Sequence, residues 1–555
     1  MPEICPSFKG ERPRLTNAPP VPFNKTHPAC YASRIMAKSL AKSGIRLSVL
    51  TLGSRVLGLI REMTKASFLG TTALSDAFSV AFMIPNLLRR LFAENSISVA
   101  FIPTFRQYLE EDNKKRTGEF LSAMFTFLSF ATTVAVILGI LATPLIVPLF
   151  GIKTTETVFL TRVMFPYLLV ISIAAFFQGI LNGVKIFSPS GFTPILFNGI
   201  IIVFTYAFAH AAGNPARAMA YGVLAGGAVQ ALFQLPYVLK SGFRFSFIPL
   251  KAAVSDPGTR KVLKLIGPTI IGMAAYQLND LISGVLAGNA GQGVLSSLQY
   301  SLRLQELMLG IFAVAIGTVI LPDLSAFAAR KSWPDFNRLL AQAMNMIALI
   351  MIPVTFYALV SGENIIILLF KNRQFSDESV RLTLTAFTWH IAGLYFIALN
   401  RVIAPAFYAQ SDTKSPTFAG IGSFAANIAL ALALVGPMKG GGIALALSLA
   451  SLANTAFLFW FLAKSKTVNF ARMFRSTGLY AAKLVAFSIL ASLPIWYFHD
   501  AIYAPFARHG RLIAQGVPLT ISLLAFAAVG LALLVATRDK LTFAFMGKIK
   551  GKISR

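Results

Sequence analysis

Arginines stand inside otherwise apolar text near the start of this chain. Ser54-Arg55-Val-Leu-Gly58-Leu-Ile-Arg61-Glu62 lies in one apolar run. Pro85-Asn86-Leu-Leu-Arg89-Arg90, preceded by Asp76 and followed by Glu94, lies in the next. A later run carries Arg303 and Glu306, one helical turn apart. A charge at the bilayer centre costs about 2.5–3.5 kcal/mol on insertion scales, so each intramembrane charge is a functional candidate. Arginine stays charged, and its planar fork grips phosphate through two parallel hydrogen bonds. Arginines converging from three helices would suit a phosphate or pyrophosphate group. The alternative is that they pair with Glu62, Asp76, Glu94 and Glu306, or reach to the interface along their own aliphatic stems.

At about 100° per residue, Arg55, Gly58 and Arg61 spread over a face about 120° wide, and Glu62 returns beneath Arg55. Gly58 allows a backbone or ligand to approach closely. Pro85 is expected to kink its helix, which leaves open whether Arg89 or Arg90 faces inward. Asp280 and Asn427 are candidates for an ion site, although a buried hydrogen bond is the plainer role for each; His390 reads as a core histidine. A phosphate-cradling GxxxxGK[ST] loop, a Ser-His-Asp set and metal-ligand spacing are all missing from the sequence, which argues against an ATP-driven pump and against an enzyme. Cys5 and Cys30 match no metal or disulfide pattern.

The elements that must hold these residues are membrane helices. The 555 residues are 56% hydrophobic and 13% charged, with a mean hydropathy of +0.68, whereas soluble domains carry about 25% charged residues. Apolar runs of about 20 residues match a hydrocarbon core of roughly 30 Å, and irregular backbone cannot face lipid. Spans are expected at 44–68, 76–104, 120–150, 157–183, 190–210, 218–239, 262–287, 294–328, 337–361, 379–408, 415–436, 441–463, 476–498 and 512–537. The fold class is thus an all-α polytopic membrane protein of about 14 transmembrane helices. The net charge of +29 concentrates before the odd-numbered spans and in the C-terminal tail, as at Lys114, Lys115 and Arg116. That pattern places both termini in the cytoplasm and reads as attraction to anionic membrane lipids rather than nucleic acid binding.

Two anchors repeat. Ile-Pro103-Thr returns as Leu-Pro322-Asp at an offset of 219, and the segments ending at Pro194 and Pro416 match at 222. The expected organisation is a basic leader (1–37), an N-terminal six-helix lobe (38–240), a parallel repeat of it (241–465), two added helices (466–540) and a basic tail (541–555). Parallel repeats of this kind typify transporters with a site at the repeat interface.

The stretch from Ser54 to Glu62, then Ser75-Asp76-Ala-Phe, then Phe82-Met-Ile-Pro85-Asn86-Leu-Leu-Arg89-Arg90-Leu-Phe-Ala-Glu94, resembles the MurJ (MviN) lipid II flippase family. Tyr300-Ser-Leu-Arg303-Leu-Gln-Glu306, Gly317-Thr-Val-Ile-Leu-Pro322 and Phe407-Tyr-Ala-Gln-Ser-Asp412-Thr-Lys-Ser-Pro416 extend the likeness, which runs from about residue 38 to 540. The family belongs to the multidrug/oligosaccharidyl-lipid/polysaccharide exporter superfamily. The resemblance implies two lobes around a V-shaped cationic cavity and a lipid-tail groove on the last two spans. It implies substrate-binding roles for Arg55, Arg61, Arg89 and Arg303, with Glu62, Asp76, Asn86 and Glu94 as important acidic and amide positions. A Lys stands at the position of Met83 in some relatives. Some members hold Na+ with an Asp in span seven and an Asn/Asp pair in span eleven. Here Ser283 and Ala431 occupy two of those positions, which leaves Asp280, a turn from the first, and Asn427 as candidates for holding a Na+ or Cl− ion, and no organic cofactor is implied.

The function this implies is transport of lipid II, the undecaprenyl-pyrophosphate-linked peptidoglycan precursor, from the cytoplasmic to the periplasmic leaflet of the bacterial inner membrane. An exporter of another lipid-linked saccharide, or of drugs, is the runner-up. A polytopic enzyme of lipid-phosphate metabolism would need an acidic, His or metal-binding cluster on one membrane face. Residues 1–35 look foreign to the resemblance, which begins at Met36-Ala-Lys-Ser. A chain starting at Met36 is therefore expected to complement a flippase-depleted strain as well as the full chain does, and loss of growth would contradict this.

Overall fold

The computed structural model describes residues 50–91, 97–152, 154–465, 467–539 and 541–543, and the side chains of these except 98, 268–276 and 311–319. The expected leader, most of the expected tail and Glu94 lie outside the described residues. Within them the chain is helices and turns, with no strand. Helix α1 covers residues 50–69, followed by α2 (Ala73–Arg89), α3 (Ile102–Glu110), α4 (Lys114–Ile146), α5 (Thr155–Met164), α6 (Tyr167–Gly183), α7 (Ser188–Phe208), α8 (Pro215–Lys240) and a short α9 (Leu250–Ser255). Next come α10 (Pro257–Asn289), α11 (Val294–Ala329), α12 (Trp333–Phe370), α13 (Asp377–Ala392), α14 (Leu394–Tyr408), α15 (Lys414–Met438) and α16 (Gly440–Lys464). Helices α17 (Phe470–Tyr497), α18 (His499–Tyr503) and α19 (Arg511–Ala536) complete it. Starts are marked by side-chain caps: Asn113, Thr154, Asn214, Asp256, Ser376 and Asn469 each accept a first-turn N–H.

Each expected span overlaps a helix. Nine helices among the described residues have the length and hydropathy of a membrane crossing, and α13–α14, bent by 40°, makes a tenth if taken as one span. Helix α1 is not among them, because it carries Arg55, Arg61, Glu62 and Lys65. Apolar side chains such as Leu141, Leu145 and Leu524 point outward in large exposed belts, the surface that lipid must cover. The described parts of the second span depart from a regular α-helix: α2 runs through Pro85 to Arg89, wider π-type turns come at residues 90–91 and at Ile97–Phe101, and α3 begins at Ile102 with Pro103 in its first turn. Such turns recur at functional sites.

The duplication is written into the backbone. Left-handed residues recur in matched pairs at Asp112 and Lys331, Gly151 and Arg373, Lys185 and Ser411, and Gly213 and Lys439. Each pair closes the helix before the same crossing in its half. The fourth crossing is interrupted between α5 and α6 at Phe165-Pro166, and its counterpart is interrupted between α13 and α14 at Gly393. A non-glycine residue with positive φ is uncommon, so four aligned pairs, each containing at least one, are strong evidence of a common template.

The three largest buried clusters among the described residues hold the bundle. One, rich in stacked rings, gathers Phe101, Phe105, Phe120 and Phe176 from the first half. A second draws on α11 to α14 and α16, and includes Ala66 of α1. A third joins α2, α4, α10, α11, α13 and α16 through residues such as Ile84, Phe165, Leu298 and Ile443. Helices α17 and α19 lean on α12: Tyr357 donates to the Leu519 carbonyl at 2.8 Å, and Asn364 donates to Gln515 at 2.9 Å.

Where α1 turns into α2, polar ties reach the second half. The buried Asp76 carboxylate accepts the Gly293 N–H at 2.6 Å and the Ser296 N–H at 2.9 Å, capping α11 from a distant part of the sequence. Tyr300 donates to the Gly70 carbonyl at 3.0 Å, Thr71 and Ser379 share a hydrogen bond of 2.8 Å, and the Gln374 N–H donates to the Ser67 carbonyl at 3.1 Å. Asp76→Ala would orphan two buried N–H groups at about 1–3 kcal/mol each. Its purified form should unfold several degrees lower than the parent, with Asp76→Asn between them. An unchanged melting temperature would contradict this assignment.

Candidate functional site

Helices α1 and α11 cross in direct contact, and their arginines set the terms of the contact. The Arg55 guanidinium of α1 lies against the backbone of Gly310 in α11, filling the space a Cβ would need there. In return, the Arg303 guanidinium of α11 lies over Gly58 in α1, also in the place of a Cβ, with Asn198 of α7 bordering the same spot. Each arginine thus uses a glycine of the opposite helix as its seat. The close approach inferred for Gly58 from sequence is made by Arg303.

Around this crossing the charges are held unevenly. Arg61 pairs with Glu62 at 2.6 Å, both largely buried, and its guanidinium lies 5.9 Å from the Phe82 ring centre. Arg303 pairs with Glu306 at 3.2 Å, but Glu306 is more than half exposed. Neither Arg55 nor the neighbouring Lys65 has a carboxylate within ion-pair distance among the described residues, so Glu62 and Glu306 serve a larger group of cations. On α2, Arg89 donates from Nε to the Asn86 side-chain oxygen at 2.9 Å, which fixes the direction of its guanidinium. Arg90, next in sequence, turns to α10 and pairs with Asp280 at 3.1 Å.

Sequence reasoning passed over one residue. Lys65 is buried with 3% of its surface exposed. Its ammonium donates to the Ser79 hydroxyl at 2.7 Å and to the Gln299 side-chain oxygen at 2.9 Å. Rings of Tyr300 and Phe78 stand 5.1 and 5.7 Å away. A small cavity is lined by Arg61, Glu62, Lys65, Ser79, Phe82 and Gln299, among others. The signal was present: Lys65 falls one turn after Glu62, inside the same expected span.

The remaining candidates separate. Asp76 is spent on capping α11, about two turns from Arg303, so it positions rather than lines the crossing. Glu94 lies outside the described residues. Asp280 and Asn427 have different partners: the Asp280 carboxylate pairs with Arg90 at 3.1 Å, and the Asn427 amide donates to Asn279 at 2.7 Å. The buried Asn427 oxygen has no hydrogen-bond partner. No group of three acidic, His or Cys side chains stands together among the described residues. His390 is a core residue as read from sequence, bonded to Ser301 at 2.7 Å and accepting at its carbonyl from Gln305.

The chain matches known proteins along most of its length. The family profile described as "Lipid II flippase MurJ" covers residues 65–512. A protein of Treponema pallidum (strain Nichols) named "Probable lipid II flippase MurJ" is 48% identical over 521 residues, 92% of this chain and 98% of that protein. "Lipid II flippase MurJ" of Burkholderia cenocepacia is 31% identical, over 76% of this chain and 83% of its own length. Among solved structures, "Lipid II flippase MurJ, inward closed conformation" superposes with a TM-score of 0.73 at 25% identity, covering 90% of this chain and all of that one. An inward-facing multidrug resistance MATE family transporter of the MOP superfamily shares the fold at a TM-score of 0.61 and 14% identity, over 78% of this chain and 99% of its own.

The two glycine seats carry a test. A Cβ at Gly58 or Gly310 meets the end of an arginine side chain rather than backbone, so folding should survive while the guanidinium is displaced. Alanine is also the better helix former by about 1 kcal/mol. Gly58→Ala and Gly310→Ala are expected to accumulate normally in the membrane yet fail to support growth of a flippase-depleted strain. Full growth at normal expression would show that the seats do not matter.

Proposed function

This chain belongs to the lipid II flippase MurJ family, and from that premise we propose that the cations gathered at the α1–α11 crossing hold the diphosphate of lipid II while its head group crosses the membrane. The protein is a multi-pass membrane transporter, and its activity is lipid II flipping. No covalent chemistry is required of it. The head enters a cavity that faces the cytoplasm, its diphosphate is bound by Arg55, Arg61, Arg89 and Arg303, and the polyprenyl tail stays in lipid beside α17 and α19. The two repeats then rock about the crossing and release the head on the periplasmic side of the inner membrane, with both termini remaining cytoplasmic.

One observation carries this reading: of the cations Arg55, Arg61, Lys65 and Arg303, only Arg61 and Arg303 have a carboxylate within ion-pair distance among the described residues, Glu62 and Glu306. The surplus is two positive charges. A diester of diphosphoric acid keeps one acidic oxygen on each phosphorus and so carries two negative charges. Ligand and surplus therefore cancel, and a buried charge excess that is costly alone becomes favourable once loaded. The ties of Asp76, Tyr300 and Thr71 hold the opposite end of these helices together, which suits a state open toward the other face. Export of drugs is favoured by no observation beyond the fold shared with the MATE transporter.

Charge-assisted hydrogen bonds contribute about 1.5–3 kcal/mol each, so losing one should weaken binding by about ten- to a hundredfold. Arg55→Ala, Arg61→Ala, Arg89→Ala and Arg303→Ala are each expected to abolish complementation of a flippase-depleted strain, with membrane levels checked by blot. Lysine at these positions should rescue only in part, because an ammonium lacks the fork. Arg90→Ala, which breaks a half-exposed pair with Asp280, should be milder. Growth of all four alanine variants at normal expression would overturn the cationic-cavity mechanism.

A further inference from the structure

Lys65 is a buried cation whose two hydrogen-bond partners are neutral. Among the described residues no carboxylate lies within ion-pair distance of its ammonium; its two hydrogen-bond acceptors, Ser79 and Gln299, are both neutral. Glu62, one turn away, is taken by Arg61 at 2.6 Å, and both oxygens of Asp76 are held by the backbone of α11. A buried ammonium of this kind is expensive, and the rings of Tyr300 and Phe78 offset only a part of that cost. An ammonium has three N–H donors. Two are occupied, and the residue lines the same small cavity as Arg61 and Glu62. The position is also mechanically informative. Lys65 stands on α1, Ser79 on α2 and Gln299 on α11, so its charge sits where elements of both repeats meet.

We propose that Lys65 is a further substrate-binding residue, whose remaining N–H is donated to a phosphoryl oxygen of the lipid-linked diphosphate at the end of the cavity it shares with Arg61. This rests on the reading that the cavity takes a diphosphate. Lys65 supplies a point charge to the far oxygen, while Arg61 and Arg303 supply the forks. Ser79 and Gln299 aim the ammonium and keep it from collapsing onto Glu62. The bland alternative is that the ammonium is only a strut between three helices.

Binding and stability separate the two. The full chain is purified into lipid nanodiscs, and its Kd is measured for lipid II and for a polyprenyl diphosphate that lacks the sugar and peptide. Lys65→Met fills the same space without charge. Lys65→Gln keeps a hydrogen-bonding group toward Ser79 and Gln299, and stands in if the methionine variant does not accumulate. Both are expected to bind both probes at least tenfold more weakly, with a melting temperature equal to or above the parent's, since a buried charge has been removed. Lys65→Arg should recover part of the affinity. A Kd within threefold of the parent's for either neutral variant overturns the proposal, as does weakening toward lipid II alone, which would place the contact on the sugar or peptide. Arg61→Ala, measured alongside, keeps the failures apart. If it too binds the polyprenyl diphosphate normally, the diphosphate reading falls; if only the Lys65 variants bind normally, this proposal falls alone.

Discussion

A guanidinium inside a helical bundle cannot shed its charge, so the packing around it must supply acceptors, room, or a ligand. The crossing of α1 and α11 answers mainly with room. Arg55 and Arg303 each rest on a glycine of the other helix, which lets the two backbones approach while both charged groups stay at the crossing. Carboxylates are kept scarce: Glu62 and Glu306 pair with Arg61 and Arg303, and Asp76 is diverted to the end of α11. A site built to be stable while empty would hold more carboxylates. This one retains positive charge, and that unmet charge is what an anionic head group can satisfy.

The remainder of the fold places this crossing where the two repeats meet. Matched left-handed residues and matched interruptions show that both halves follow one template, yet the charged residues are not duplicated along with it. Arg55, Arg61 and Lys65 stand on the first helix of the first half, whereas its counterpart, α10, presents Asp280 to Arg90. The asymmetry is chemical rather than architectural: the template makes a cleft, and substitutions in α1, α2 and α11 make it cationic. Helices α17 and α19 stand outside the template and are fastened to α12 by Tyr357 and Asn364, leaving apolar faces outward for lipid.

Much of this was legible in the sequence, because membrane helices write themselves in long apolar runs and arginine is conspicuous there. The positions of Arg55, Arg61, Arg89 and Arg303 needed only that contrast, and the role of Gly58 followed from its spacing. What stayed hidden depends on pairing between distant segments. That Asp76 caps α11, or that Asn427 meets Asn279 rather than Asp280, follows from how helices more than a hundred residues apart are rotated against each other. Lys65 was overlooked for a different reason. Near the end of an expected span, a lysine normally reaches to the interface along its stem; here Ser79, Gln299 and two rings hold it inside instead.

The mechanism depends on the diphosphate being the group that the protein grips. The direct measurement is translocation of fluorescent lipid II by the purified full chain in liposomes, with unlabelled polyprenyl diphosphate or polyprenyl monophosphate added as competitor. Protein-dependent translocation is expected, suppressed by the diphosphate at concentrations where the monophosphate, with one phosphorus fewer for the cations to hold, has little effect. Translocation equally indifferent to both competitors, or no faster than in protein-free liposomes, would contradict it.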